Sequence, residues 1–68
     1  MLKAVWFKDG KEIAWCDPVL DIMCEERQNI SEIEVYNGHS WYSSKDLCDE
    51  IPDDFVIRVS RSIMNSCQ

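Results

Sequence analysis

DPVLDIMCEERQN, residues 17–29, is the stretch on which the predicted fold depends. Asp17 is a favoured N-cap and Pro18 suits the first helical turn, so a helix is predicted to begin here. At helical spacing the apolar side chains of the stretch cover one broad side centred on Met23, and carboxylates form a narrow stripe opposite. The stretch therefore predicts an amphipathic helix with Met23 at the middle of its buried face.

Two strands are predicted before this helix. Residues 2–7, LKAVWF, are rich in side chains that favour strands, and residues 12–16, EIAWC, have the same character. Asp9-Gly10 lies between them and is a strong signal for a two-residue hairpin turn. The chain is therefore predicted to open with a β-hairpin.

A second hairpin is predicted after the helix. Residues 31–36, SEIEVY, alternate cleanly, which places Ile33 and Val35 on one face as candidate core residues. Asn37-Gly38 favours a type I′ turn, because both central positions of that turn need positive φ. The cross-strand pairs predicted for a two-residue loop are Tyr36 with His39, Val35 with Ser40, Glu34 with Trp41 and Ile33 with Tyr42.

The end of the chain adds a short helical turn and a last strand. Ser43 or Ser44 is predicted to cap a turn that runs through Leu47 and Cys48. Residues 54–61, DFVIRVSR, predict a strand, and residues 62–68 a possible C-terminal tail. The residues of this strand predicted to point inward are Phe55, Ile57 and Val59.

The predicted fold class is α+β, with the element order β-β-α-β-β-short α-β. We expect one antiparallel sheet of four or five strands with the amphipathic helix packed across one face. The 68 residues leave room for one small domain, 1–68, and the apolar content of 46% is ordinary for a globular protein. Strand order is left open, although the last strand could pair with the first.

The net charge of −6 is unevenly distributed. Residues 16–54 contain eleven carboxylates against two cations, a net charge of −9, whereas both ends of the chain are mildly basic. Binding nucleic acid or an anionic membrane needs clustered Lys and Arg, so we expect neither as a direct partner. The start of the chain shows no basic-then-apolar leader and no apolar run exceeds four residues, so a cytoplasmic protein is expected.

The carboxylates form two candidate partner-binding groups. The first is a helical row at i, i+4 spacing, and the second is a cluster in KDLCDEIPDD, residues 45–54. One interpretation is a solvated face, and the other is a polyanion mimic for a basic groove on a partner. The members of the row are Asp17, Asp21 and Glu25; those of the cluster are Asp46, Asp49, Glu50, Asp53 and Asp54.

The second hairpin offers a different candidate site. If Ile33 and Val35 face the core, then Tyr36, His39 and Trp41 share the outer face together with Glu34. Exposed Trp and Tyr on a rigid hairpin are typical of the centre of a protein–protein interface. The alternative is that other parts of this small chain cover these aromatic side chains as a minor core.

Catalytic and metal-binding signals are weak. The two glycines both fall in predicted turns, no phosphate-binding loop is present, and His39 is the single histidine, so we expect a protein that is not an enzyme. Four cysteines are present without a C-x-x-C pair, and we expect no metal and no cofactor. A zinc or thiol-redox protein built on these cysteines is the third alternative.

In size, acidity and compactness the whole chain resembles the small single-domain inhibitors that phages and mobile elements encode against host nucleic-acid machinery. Anti-CRISPR, anti-restriction and polymerase-inhibiting proteins belong to this group. The resemblance implies a monomer or homodimer that blocks a basic, nucleic-acid-binding protein in the host cytoplasm. The competing hypothesis is an adaptor or complex subunit that docks through the aromatic hairpin, residues 36–42, with the carboxylates only solvating.

The cysteine pattern leads to a first prediction. We expect four free thiols and no stoichiometric metal in protein purified under reducing, chelator-free conditions, because short paired ligand spacings are missing. Thiol titration in denaturant and elemental analysis measure both quantities. One zinc per chain, with unfolding on chelation, would contradict this expectation.

Overall fold

The fold consists mostly of antiparallel strands in two three-stranded sheets with little helix, and it is broadly α+β. The computed structural model describes residues 1–25 and 28–59. Its strands are β1 (Leu2–Lys8), β2 (Lys11–Val19), β3 (Asp21–Met23), β4 (Glu34–Tyr36), β5 (Trp41–Tyr42) and β6 (Asp54–Val59). Its helical elements are a 3-10 turn, Ile30–Glu32, and the helix α1, Ser44–Leu47. The described strands thus number six in two sheets, so the prediction of one sheet with four or five strands is wrong.

The first sheet has the order β2-β1-β6. The predicted hairpin between β1 and β2 is confirmed, with Lys8 opposite Lys11 and positive φ at both Asp9 and Gly10. These two φ angles, 52° and 79°, are the ones that a tight two-residue turn requires. The last strand pairs antiparallel with β1, which realises the pairing that the sequence left open.

Two of the three residues predicted to point inward from β6 contact the core. Phe55 and Ile57 pack against it, and the Phe55 ring lies 5.1 Å from that of Trp6 between ring centroids. Val59 is 64% exposed, so its predicted burial is wrong. Its opposite residue, Leu2, is also exposed, at 44%.

The amphipathic helix predicted for residues 17–29 is wrong. β2 continues through the cis Asp17-Pro18 bond to Val19, and β3 begins two residues later. Proline is tolerated here because β2 is an edge strand and needs no ladder bond on its free side. Met23, the predicted centre of the buried face, is 49% exposed on β3. The apolar residues of this segment are spaced in a way that fits a strand as well as a helix. The extended form is adopted because the segment pairs with β4.

The second sheet has the order β3-β4-β5. Its Asn37-Gly38 turn is present, but four loop residues separate the strands instead of two, so the predicted pairs are wrong by two residues. The Asn37 side-chain oxygen accepts hydrogen bonds from the backbone N–H groups of His39 and Ser40, at 2.8 and 2.9 Å. This Asx-type turn replaces the predicted type I′ turn. The observed pairs are Val35 with Tyr42 and Tyr36 with Trp41.

The core lies between the two sheets. Trp6 from the first sheet and Val35 from the second are fully buried, and Ile33 is 6% exposed, which confirms the inward face predicted for residues 31–36. A shift of two residues in register leaves every side chain on its predicted face, which is why these burial predictions held despite the wrong pairs. The other buried members of the cluster are Ala4, Ala14, Cys16 and Val19.

The short helix α1 is confirmed. It begins after Ser43, whose backbone N–H donates to a carboxylate oxygen of Asp46 at 2.9 Å, and Cys48 follows its last residue. This contact satisfies a backbone donor at the helix start. The prediction of a C-terminal tail at 62–68 lies outside the described residues, as do Ser60 and Arg61 of the predicted last strand.

Strands β3 and β4 of the second sheet provide a matched test of the fold. Val35→Asp should lower the free energy of unfolding by about 3 kcal/mol or more, because it buries an unpaired charge. Met23→Asp should cost no more than about 1 kcal/mol, mainly from repulsion by Glu34 on the opposite strand. Chemical denaturation of both variants measures this difference. A Met23 variant that unfolds as readily as the Val35 variant would restore the buried-helix interpretation.

Candidate functional site

The outer face of the second sheet brings together residues from both predicted sites. Asp21 lies directly opposite Tyr36, and Tyr36 lies directly opposite Trp41. Directly opposite residues point to the same face of a sheet, so these three form one row across three strands. Met23 and Glu34 form the neighbouring pair on that face. We name this surface the acidic–aromatic face; its residues are Asp21, Met23, Glu34, Tyr36 and Trp41.

The two aromatic rings are the rigid part of this face. Their centroids are 5.1 Å apart with an interplanar angle of 31°, and the Tyr36 hydroxyl donates to the Gly38 carbonyl oxygen at 3.1 Å. Trp41 is 38% exposed and Tyr36 is half-buried. The ring contact and the hydrogen bond hold the Tyr36 side chain in place, so little conformational freedom would be lost on binding.

His39 does not belong to this row. It lies in the loop between β4 and β5, is exposed, and its backbone N–H is bound by Asn37. The wider loop moves it off the strand, so its predicted position on the outer face opposite Tyr36 is wrong. Tyr36, Trp41 and Glu34 keep the common face predicted for them.

The predicted helical row of carboxylates is absent. Asp17 is half-buried in β2, Asp21 is exposed in β3, and Glu25 is exposed beyond β3. Four residues span only about 6 Å along a helix but about 13 Å along a strand, so the regular spacing is lost. Of the three, Asp21 is the one that the strand register places beside the aromatic pair.

The second carboxylate cluster is divided by local structure. Asp46 binds the N-terminus of α1, and Asp53 accepts a hydrogen bond from the backbone of Asp9 at the first hairpin turn, at 3.1 Å. Asp54 accepts one from the backbone of Phe55 at 2.8 Å. Asp49 and Glu50 are exposed and line an open groove that also contains Lys45. The cluster thus lies partly at α1 and partly at the first hairpin turn.

The described cysteines differ in environment. Cys16 is buried, and burial raises the pKa of its thiol, with a smaller contribution from the negative charge of Asp17. Cys24 is exposed and Cys48 is half-buried; all three are free. Across residues 1–25 and 28–59 no group of three or more His, Cys, Asp or Glu side chains is arranged to hold a metal ion. Cys67 lies outside the described residues.

A second aromatic surface was missed by the sequence analysis. On the outer face of the first sheet, Lys3 lies 5.1 Å from the centre of the Trp15 ring, and the Arg58 guanidinium lies 5.8 Å from that of Phe7. The available signal was Trp15, which alternates with the inward Ala14 and Cys16 on β2. Its residues are Lys3, Phe7, Trp15, Val56 and Arg58, together with two carboxylates: Asp54, directly opposite Phe7 on β6, and Glu12, which forms an ion pair with Lys3.

Comparisons with protein-family models, with curated proteins and with solved structures gave no match to this chain. Within its described residues, no helix is long and apolar enough to cross a membrane.

Gly38 accepts the hydrogen bond of the Tyr36 hydroxyl and so supports the geometry of the aromatic pair. Gly10, in the turn of the first hairpin, is the control position for substitutions of Gly38. Both have positive φ, so Ala at either should lower the free energy of unfolding by about 1–2 kcal/mol. Gly38→Ala should cost more, because its φ of 102° is farther from the left-handed helical region and its Cβ would lie 3.2 Å from Leu20 Cδ1. Thermal denaturation of both variants measures the difference.

A double-mutant cycle with Leu20→Ala isolates the steric part of that cost. Removing the Leu20 side chain should reduce the penalty of Gly38→Ala and leave that of Gly10→Ala unchanged. Equal penalties for both glycines in both backgrounds would show that Leu20 does not pack over the turn.

Proposed function

We propose that the protein is a small non-enzymatic inhibitor that binds a basic partner protein through its acidic–aromatic face. The observation that carries the proposal is the row of Asp21, Tyr36 and Trp41, which places a carboxylate beside a stacked, partly exposed aromatic pair. Aromatic side chains at the centre of an interface contribute most of its affinity, and charges at its rim contribute orientation and association rate.

The partner class follows from the sign and the uneven distribution of charge. The net charge of −6 and the −9 carried by residues 16–54 favour a surface rich in Lys and Arg. Such surfaces are common on proteins that bind nucleic acids, because they must contact phosphates. We therefore propose a nucleic-acid-binding machine as the target, blocked in the manner of the anti-CRISPR, anti-restriction and polymerase-inhibiting proteins that the chain resembles in profile. The host cytoplasm is the proposed site of action.

The carboxylates have different roles in this proposal. Asp21 and Glu34 lie on the docking face and would contact cations of the partner directly. Asp49 and Glu50 lie on a different part of the surface, beside Lys45, and would add only to the long-range attraction. That attraction speeds association and weakens as salt is added, since the screening length falls to about 3 Å at 1 M.

A second candidate function is the adaptor or complex subunit. The carboxylates at Asp46, Asp53 and Asp54 favour this function, because each accepts a hydrogen bond from a backbone N–H of the same chain. They therefore have structural roles and are not grouped as one surface for a partner. In that case the aromatic pair alone makes the interface and the carboxylates keep the protein in solution.

Three variants distinguish the inhibitor from the adaptor. Two of them reverse a pair of charges at different positions and make the same change in net charge, and the third removes the Trp41 side chain. Affinity capture from the native host, with identification by mass spectrometry, first supplies the partner; binding is then measured with purified proteins. Trp41→Ala should weaken binding at least about 30-fold, the effect of losing roughly 2 kcal/mol at a hot spot. Asp21→Lys with Glu34→Lys should abolish it, because the cations of the partner would then face lysines.

The matched control is Asp49→Lys with Glu50→Lys, which makes the same change in net charge away from the docking face. It should slow association several-fold and leave the dissociation rate unchanged. If both charge reversals are without effect and Trp41→Ala alone prevents binding, the adaptor function is correct. If none of the three changes affects binding, the acidic–aromatic face is not the site.

A further inference from the structure

We propose that two copies of the chain join edge to edge through β6, in antiparallel register centred on Val56. The joined sheet would contain six strands, three from each copy. This contact uses a backbone edge of the first sheet that the inhibitor proposal leaves unused, so it goes beyond the proposed function.

β6 is the longest regular free edge among the described strands. It is an outer strand of the sheet β2-β1-β6 and, within the described residues, pairs with β1 alone. Its six residues pair with β1 without a register shift and include no proline. At the opposite edge, the β2 ladder has two register shifts and β2 contains Pro18. The outer strands of the second sheet have only three and two residues. Bulges, proline and short length protect an edge from pairing with another chain, and β6 lacks all three.

The order of charges along β6 identifies a second copy as the added strand. Asp54 and Arg58 lie two residues before and two residues after Val56, and all three share the outer face. When two β6 strands pair antiparallel about Val56, Asp54 of each copy lies directly opposite Arg58 of the other. The neighbouring registers that keep the same faces together are centred on Phe55 or Ile57. They place Val56 opposite one of the two charges, so only the register centred on Val56 joins opposite charges.

Arg58 has a like charge on its paired side and none opposite it on its free side. Lys3 lies directly opposite it on β1, and like charges in that position repel each other. Lys3 has its own ion pair with Glu12 at 3.9 Å, whereas Arg58 extends over the Phe7 ring at 5.8 Å and forms no ion pair within the described residues. Asp54 of the second copy would supply the missing opposite charge.

The inner face of β6 fits the same register. Phe55 and Ile57 pack against the core but stay half-buried, because no further strand covers them on the free side. Pairing about Val56 places Phe55 of each copy opposite Ile57 of the other, so the apolar cores of the two copies meet across the joint. An edge contact of this length is smaller than a standard protein–protein interface, so the dimer should be weak.

The symmetry of this contact closes the assembly at two copies. Its two-fold axis is perpendicular to the sheet, and each copy uses its one β6 edge, so no matching edge remains for a third copy. Both second sheets then lie on the same side of the joined sheet, and both acidic–aromatic faces point the same way. Resting on the proposed function, this arrangement lets the dimer bind an extended basic surface at two points, which raises its apparent affinity.

The test is sedimentation velocity of the purified full chain over about 1 μM to 1 mM, the range in which weak contacts dissociate. The average mass should rise from that of a monomer to that of a dimer and stop there. Amide hydrogen exchange at the two ends of this range should show slower exchange in β6 at the higher concentration and no change in β2, the control edge. A protein that stays monomeric throughout, or one that grows beyond the dimer, would overturn the proposal.

Two single variants test the register. Asp54→Lys and Arg58→Glu each turn both cross-strand pairs of the dimer from attractive to repulsive, so each should weaken dimerisation at least about tenfold. In an equimolar mixture the two substituted positions lie opposite each other and the two native ones do the same. Both pairs are then attractive, and the mixture should dimerise like the wild type. A mixture that remains monomeric would contradict the register.

The control for these variants is Lys45→Glu on α1, which makes the same change in net charge as Arg58→Glu and should dimerise like the wild type. Circular dichroism establishes that each variant is folded. Dimerisation that neither Asp54→Lys nor Arg58→Glu affects would place the contact elsewhere and overturn the proposal.

The outcomes distinguish failure of the dimer from failure of the inhibitor function. Trp41→Ala should lose partner binding and still dimerise, whereas Arg58→Glu should stay monomeric and still bind the partner through its single acidic–aromatic face. A wild-type monomer that binds the partner removes the dimer and leaves the inhibitor function intact. A wild-type dimer that binds no basic partner supports the edge contact and removes the inhibitor function.

Discussion

The hydrogen bond from the Leu20 N–H to the Tyr36 carbonyl oxygen, 2.7 Å long, lies where the chain passes from one sheet to the other. Residues before it pair with β1, and residues after it pair with β4. This bond extends the pairing of β3 with β4 back to Leu20, so the second sheet begins directly after β2 ends at Val19. The core between Trp6 and Val35 depends on the same connection, because it fixes how the second sheet is attached to the first.

The acidic–aromatic face has the same origin. Once Leu20 is bound to Tyr36, Asp21 must lie beside the aromatic pair and Ile22 must turn toward the inner side, where Val35 lies opposite it. The apolar residues of the segment are then shared between two faces, with Met23 outside and Val19 inside. A helix would have collected them on one side and left the carboxylates opposite. The strand instead mixes acids and apolar side chains, which is the composition of an interface rim and centre.

Local sequence signals predicted the elements that depend on local contacts. The first hairpin was predicted from Asp9-Gly10, and α1 from a serine cap; the structure adds the contact of the Ser43 N–H with the Asp46 carboxylate. Ile33 and Val35 were predicted correctly because strand alternation survives a register shift of two. The segment 17–29 could not be assigned in this way, since its N-cap signal and spacing fit a helix and only the distant strand β4 favours the extended form. The candidate site shared this weakness, because the contact of Asp21 with the hairpin exists only in the correct register.

The distribution of the three tryptophans differs between the core and the outer faces of the two sheets. A domain of 68 residues buries a smaller share of its surface than a larger one and gains most from placing its largest apolar side chains inside. Trp6 is fully buried, yet Trp15 and Trp41 lie on the outer faces of different sheets, 56% and 38% exposed. Each keeps a neighbour that fixes its position: Lys3 above Trp15 and Tyr36 beside Trp41. Rings held in this way lose little entropy on binding and still present a large apolar area to water. A rigid, partly exposed aromatic ring of this kind suits the proposed contact of Trp41 with a partner, because its apolar area leaves water on binding at little cost in conformational entropy.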